Sequence, residues 1–404
     1  MKNNKFSFQS ISRKTYELMS GKEKKTAEKY IKYGLDNNYP SYLIDLYNNS
    51  SIHASCVNSI VDAIKGEGLV TENEFILDKA NKSGESWNDI YNKIALDYKL
   101  FGGYALEIIY SRDRERIADV YHIDFSHVRA AEKDDMHKIP GYFISDEWKQ
   151  SRSYSATDVK DLPYLPCFDP MKKAEEPKQL LYYNKYRPGQ QYYPLPDYVA
   201  ASRVIDLDQE VDNFHINNIK NGLAPSMAIT TFTNANDEER SAIENMLRVQ
   251  YQGSGNAGNL VYMDVADPAL APRIEPIPQN GADGYYTTVD EMTTQKVLTA
   301  HRITSPALLG IKTNTGLGNN ADELETAWRL FLNTVVLNFQ QDILKVIEEL
   351  LSFNYKDVTV GVLQKNPLYS GELNGEMEVV TSQEADVEEV ADLEESVDET
   401  QTIE

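Results

Sequence analysis

Residues 301–320 read His301-Arg-Ile-Thr-Ser-Pro-Ala-Leu-Leu-Gly-Ile-Lys-Thr-Asn-Thr-Gly-Leu-Gly-Asn-Asn320. Pro306 breaks any helix that enters the stretch, and three glycines and three asparagines follow it. A loop of this length inside a compact domain usually has a function of its own. The segments on either side are helical in pattern. Residues 284–303 form one candidate helix. Residues 321–352 form the longest, with Leu324, Ala327, Trp328, Phe331, Leu332, Val335, Phe339, Ile343, Ile347 and Leu350 at helical spacing. Asn320 is a candidate N-cap for it. Asp322, Glu323 and Glu325 suit the positive end of its dipole.

Upstream, the pattern alternates between helix and strand. Ile52, Cys56, Ile60, Val61 and Ile64 predict a helix over 51–65, stopped by Gly66 and Gly68. Trp87, Ile90, Tyr91, Ile94 and Tyr98 predict another over 86–101, ending at Gly102-Gly103. Strand character follows at 104–110, 120–124, 127–131 and 141–144. A hairpin of Leu181–Tyr186 with Gln191–Tyr193 is expected around Pro188-Gly189. A helix over 197–221 carries Val204, Leu207, Val211, Phe214 and Ile219. Residues 223–281 then read as a small α/β insert, with strands at 227–232, 260–264 and 273–277 and a charged helix at 236–251. A last strand is expected at 358–363. The fold class is α+β.

Charge is distributed unevenly. Of 63 acidic residues, 13 lie in residues 366–404, which hold none of the 40 Lys and Arg residues. More than half of the net charge of −23 therefore sits in this tail, which should be disordered. Two cysteines exclude a disulfide scaffold and suit a reducing compartment. The N-terminus lacks a signal-peptide core, and no apolar run approaches the ~18–20 residues of a membrane span. The expectation is a soluble protein made in a cytoplasm, with no membrane partner.

No motif supplies catalysis. Gly253-Ser-Gly255-Asn256-Ala-Gly258 matches G-x-G-x-x-G in letters. The dinucleotide motif, however, needs a strand before it and a helix after it, and here the order is reversed. The six histidines show no zinc spacing, and a packing or surface role is favoured for them. There is no nucleophile elbow, P-loop or cysteine-nucleophile signature. Acidic pairs are too plentiful to single out a hydrolase dyad. No cofactor or metal site is expected. Tyr182-Tyr183 and Tyr192-Tyr193 are expected to cover a hairpin or a subunit contact.

Several ordered phrases resemble the portal proteins of tailed bacteriophages, in particular those of phages infecting Bacteroidetes-type hosts. One runs from Tyr193-Pro-Leu-Pro-Asp-Tyr through Asn213-Phe-His-Ile to Asn221-Gly-Leu-Ala-Pro-Ser226 and resembles a helix leading to the family's "N-G-x-x-P-S" strand entry. Gln252-Gly-Ser-Gly-Asn-Ala-Gly-Asn-Leu-Val261 resembles the "G-x-x-N-A-G" turn, and Ala300-His-Arg-Ile-Thr-Ser-Pro-Ala-Leu-Leu-Gly-Ile311 resembles "R-V-P-P-x-L-L-G". Asp36-Asn-Asn-Tyr-Pro40 is similar to an N-terminal phrase of some members. The likeness spans about residues 36–350, departing at Thr304-Ser305-Pro306, where many members carry two prolines.

The resemblance implies a structural, non-catalytic protein: a dodecameric ring at one capsid vertex of a virion, assembled in the host cytoplasm. Double-stranded DNA would pass through it regardless of sequence during packaging and ejection. The implied partners are the terminase large subunit, a head–tail connector or adaptor, and the major capsid and scaffolding proteins. The implied layout is an N-terminal arm (1–49), an α/β wing (50–200), a first stem helix (197–222), a small α/β clip (223–283) and a second stem helix (284–303). A tunnel loop (304–320), a long helix of wing or crown (321–352), a short strand (353–365) in a reduced crown and the acidic tail (366–404) follow. Lys312, Thr313, Asn314, Thr315, Asn319 and Asn320 would face DNA. Pro306, Leu308, Leu309, Gly310, Gly316 and Gly318 would anchor or hinge the loop, and Gly253, Gly255, Asn256 and Gly258 would form the clip turn. The residue types suit a sliding polymer. Lys312 alone adds cationic, salt-dependent affinity, and negative charge elsewhere repels the phosphate backbone. The alternatives are another oligomeric phage structural or adaptor ring, or a carboxylate-dependent hydrolase.

Overall fold

A computed structural model describes residues 30–34, 37–146, 148, 162–221, 227–231, 241–243, 260–264, 282–303, 305–309, 321–365 and 379–381. The chain divides into two units, one built from residues 1–200 and 298–404 and the other from residues 201–297.

The first unit opens with α1 (Tyr39–Asn49) and α2 (Ser51–Lys65). α1 was not expected from the sequence pattern, although Tyr39, Leu43 and Leu46 form its buried stripe. Ser50 separates the two helices. Its N–H donates to the Leu46 carbonyl, and its hydroxyl accepts from His53 N at 3.3 Å as the N-cap of α2. Strand β1 (Gly68–Thr71), also unexpected, leads toward α3 (Trp87–Phe101). A capping box between Ser86 and Asp89 starts α3. Gly102, at φ 85°, ends it. A Cβ there would lie 2.5 Å from the Leu195 carbonyl oxygen.

Strand β2 (Gly103–Tyr110) runs antiparallel between β3 (Ile117–Ile123) and β7 (Lys178–Asn184), with Leu106 opposite both His122 and Leu181. A second sheet joins β4 (Val128–Ala130), β5 (Gly141–Ile144) and β6 (Tyr164–Pro166). The expected hairpin around Pro188-Gly189 is not formed. β7 pairs with β2 instead, which buries Leu180 and Leu181. Tyr193 leaves the strand edge and stacks on Tyr33, with ring centroids 4.1 Å apart. Tyr182 stacks between Phe125 and Tyr142, and Tyr183 stacks on Tyr104. Tyr182, Tyr183 and Tyr193 thus pack on rings within the chain, and there is no hairpin for them to cover.

The second unit contains α4 (Ser202–Asn221), a parallel pair β8 (Met227–Thr231) and β9 (Leu260–Asp264), and most of α5 (Ala282–Ala300). Residues 197–201, expected at the start of a longer helix, form a 3₁₀ turn before α4.

The long helix is continuous but not uniform. It comprises α6 (Ala321–Phe331), a π turn (Leu332–Val336) and α7 (Leu337–Ser352). The extra residue in the wider turn re-phases the apolar stripe, so that Val335 and Val336 are both buried. Phe339, Ile343, Ile347 and Leu350 then pack with Ile60, Ile64, Ile90 and Ile94 in the core. Gln340 Nε2 donates to the Ile64 carbonyl at 3.0 Å, satisfying the buried end of α2. Strand β10 (Val360–Leu363) pairs with β1 on one side and β11 (Val379–Thr381) on the other. The expectation of a disordered tail therefore fails at residues 379–381, where two β-branched valines and a threonine complete a sheet edge. No helix among the described residues is long and apolar enough to cross a membrane.

Candidate functional site

The described part of the loop region is its base, where α5 ends and the chain turns toward α6. The Arg302 N–H donates to the Thr299 carbonyl and the Ile303 N–H to the Leu298 carbonyl, each at 3.0 Å. This paired closure is a Schellman motif, and it requires the left-handed conformation at Arg302, where φ is 56°. Glycine is the usual occupant of that position, so arginine holds it under strain. Ile303 supplies the accompanying apolar contact by packing on the core. Pro306–Leu309 then form one 3₁₀ turn, and Leu308 also packs against the core. α5 therefore stops three residues earlier than its sequence pattern suggested.

His301, the residue between helix and strained arginine, is fully buried. Its Nε2 lies 2.9 Å from Nδ1 of His53 on α2. Tyr198 covers both imidazoles, at 5.0 Å from His301 and 4.6 Å from His53. Alongside, the buried Lys99 ammonium donates to both carboxylate oxygens of Asp197, at 2.8 and 2.9 Å. Burial, reinforced by the Lys99 charge, lowers the His53 pKa to about 3. Burial, then Lys99 and His53, push His301 well below its ordinary value. Both rings are neutral near pH 7. They share one hydrogen bond, while His53 Nε2 and His301 Nδ1 have no partner among the described residues. Burial also pushes the Cys56 thiol up to about 12, which leaves it unreactive.

A cleft of about 480 Å³ opens at the C-terminal end of α3, lined among others by Tyr98, Lys185, Tyr186, Arg187, Arg302 and Phe339. Its charges are only partly compensated. Lys185 is paired with Asp342 at 2.9 Å, and Asp342 also accepts from the Tyr98 hydroxyl at 2.5 Å. Asp197, at the cleft wall, belongs to Lys99. Arg187 donates only to the Pro196 carbonyl, at 2.9 Å, and Arg302 only to the Thr334 carbonyl in the π turn, at 3.4 Å. Two guanidinium groups thus face the cleft with no carboxylate partner among the described residues.

Of the residues singled out from the sequence, Pro306, Leu308 and Leu309 are described, and they form the anchoring turn. Gly310, Lys312, Thr313, Asn314, Thr315, Gly316, Gly318, Asn319 and Asn320 lie outside the described residues, as do Gly253, Gly255, Asn256 and Gly258. The structure adds His53, Lys99, Arg187, Asp197 and Arg302. His53 and Lys99 had a visible signal, because each falls on the buried stripe of its helix, three residues before Cys56 and four after Ala95. His122 lies in β3 with Nε2 2.7 Å from Asp97, and His127 closes a 3₁₀ turn. Among the described residues, no three His, Cys, Asp or Glu side chains converge as a metal site.

A family model for the phage portal protein matches residues 71–360. No curated protein matches the chain. Among solved structures, one described as the virion of a native gene transfer agent particle aligns with a TM-score of 0.53 at 14% identity, covering 89% of this chain and 88% of the other. Chains from the neck of an empty particle computed with C6 symmetry and of a native particle computed with C12 symmetry each align with a TM-score of 0.53. Each is 15% identical and covers 80% of this chain and 83% of the other. At these identities the likeness is one of fold.

Proposed function

The chain belongs to the phage portal protein family, and on that premise we propose that it forms a ring at one vertex of a phage-like particle and conducts double-stranded DNA. The observation that carries this is the match over residues 71–360, which takes in both long helices, the insert between them and the loop. The role is structural and not catalytic. In this reading residues 50–200 are the wing, 197–222 and 284–303 the stem helices, and 223–283 the clip. The clip docks the terminase large subunit during packaging and the head–tail connector afterwards. Twelve copies form the ring, in contact with the major capsid and scaffolding proteins.

The loop then works as a weak contact on a rigid base. The strained Schellman closure, the Pro306–Leu309 turn and the packing of Ile303 and Leu308 fix where it starts. Beyond that base, Lys312 is the only cation in residues 304–320. A single phosphate contact per copy permits sliding, where many would arrest the DNA. Deleting Thr313–Gly318 should leave ring assembly intact and impair packaging or retention of DNA. Heads filled normally by that variant would refute the loop's role.

A further inference from the structure

The structure holds an exposed knob and an unfilled cleft at opposite ends of one helix. The knob is the tip after β1, Glu72-Asn73-Glu74-Phe75, whose last two residues begin a single 3₁₀ turn. Phe75 is 84% exposed. Glu72, Glu74 and Asp78 are exposed around it and have no ion-pair partner among the described residues. The tip is fixed at the start of α3, because Trp87 N donates to the Leu77 carbonyl at 2.9 Å. The cleft with Arg187 and Arg302 lies at the other end of α3, beside Gly102. Fifteen helical residues separate the two by roughly 20 Å.

We propose that copies of this chain join head to tail, with the Glu72–Phe75 tip of one copy seated in the Arg187–Arg302 cleft of the next. The proposal rests on the ring reading above and names the contact that would build it. Charge complementarity selects the occupant. The tip brings unpaired carboxylates flanking an aromatic ring. The cleft brings the Arg187 and Arg302 guanidiniums, which have no carboxylate partner among the described residues, and the 85%-exposed Tyr186 at its rim, over a buried floor of Tyr98 and Phe339 that the Lys185 ammonium covers. Arginine–carboxylate pairs around a buried aromatic anchor are a recurrent core of protein interfaces. Because tip and cleft stand at opposite ends of α3, a copy does not fill its own cleft. Repeating one such heterologous contact closes a ring when its rotation divides a full turn, as the ring reading requires. The backbone strain at Arg302 agrees, since the position keeps a cation where glycine would sit without strain.

The test uses the full chain under conditions in which the wild type forms rings, read by mass photometry and negative-stain microscopy. The double variants Glu72→Arg/Glu74→Arg and Arg187→Glu/Arg302→Glu should each lower the ring fraction at least tenfold, and combining all four changes should restore part of it. Because the cleft variant could also lose its fold, a second experiment uses two surface cysteines, Phe75→Cys with Tyr186→Cys. Oxidised rings should give a ladder of cross-linked copies on a non-reducing gel, absent from either single variant. Rings of wild-type yield in both charge-reversed variants, or no ladder from assembled double-cysteine rings, would overturn the proposal and leave the ring reading standing. Failure of the wild type to form rings under any condition would defeat both. Intact rings that lose DNA retention on arginine reversal would also overturn it and assign the cleft to nucleic acid.

Discussion

Acid should weaken this fold through the His53–His301 pair, and the effect can be worked out. An unfolded histidine titrates near pH 6.5. In the fold, burial and the neighbouring Lys99 lower His53 to about 3. Between these values the unfolded chain binds a proton that the folded chain refuses. The stability is therefore complete above about pH 7 and falls as pH drops below the unfolded value, down to about 3. For His53 alone the loss between pH 7 and pH 5 comes to about 2 kcal/mol, and His301, shifted in the same direction, steepens it. The buried Cys56 thiol and Tyr198 hydroxyl, both shifted upward, stay neutral across this window and add no slope. The assay is denaturant unfolding at pH 7, 6 and 5 on the wild type and on His53→Gln. The variant should be less stable at pH 7 but should lose about 2 kcal/mol less on going to pH 5. Equal losses in the two proteins would show that His53 already carries a proton in the fold, and the neutral-pair reasoning would be wrong.

The remaining predictions concern single positions. Arg302→Gly should stabilise the monomer by about 1 kcal/mol by removing a left-handed non-glycine residue, seen as a higher unfolding midpoint, while lowering ring yield. A lower midpoint would mean that the contact to Thr334 outweighs the strain. Arg129→Met should destabilise the fold by about 3 kcal/mol. The buried Arg129 guanidinium donates to the Asn37 side chain and to the carbonyls of Asn37, Ser126 and Val128, tying the N-terminal segment to β4, and Met leaves these acceptors unmatched. Limited proteolysis should then cut near residues 30–38 first. Leu308→Ala should cost about 1 kcal/mol by removing a half-buried apolar contact under the loop base, and unchanged thermal stability would refute the anchoring role of the Pro306–Leu309 turn.

Elements with a long regular stripe were legible in the sequence. The helices over 51–65 and 86–101 appear almost at their expected bounds, because apolar spacing and flanking glycines agree on them. The 321–352 pattern identified a continuous helix but not its π turn, since a one-residue shift of phase is invisible when leucines and valines crowd both phases. α1 was missed because its stripe of Tyr39, Leu43 and Leu46 is thin and diluted by polar residues. The short strands β1 and β11 were missed because each is only three or four residues long and pairs only with β10, from which β1 lies nearly three hundred residues away and β11 sits within an otherwise acidic tail. The failed hairpin has the same cause: Pro188-Gly189 is a sound turn signal, but β2 offers Leu181 a better partner than residues 191–193 do. At the site, the buried roles of His53 and Lys99 were readable from helical spacing. Their partners, 248 and 98 residues away in sequence, were not. The strain at Arg302 was hidden too, because nothing in Ala300-His-Arg-Ile303 carries the glycine that normally marks a left-handed helix end.

A three-dimensional reconstruction of the purified, assembled protein would be decisive for the portal reading. It should show a closed ring of about twelve copies around an open channel, with residues 304–320 of every copy at the channel wall and each Glu72–Phe75 tip against its neighbour's Arg187–Arg302 cleft. A monomer, a closed two-fold dimer, or a ring whose 304–320 segments face outward would contradict it.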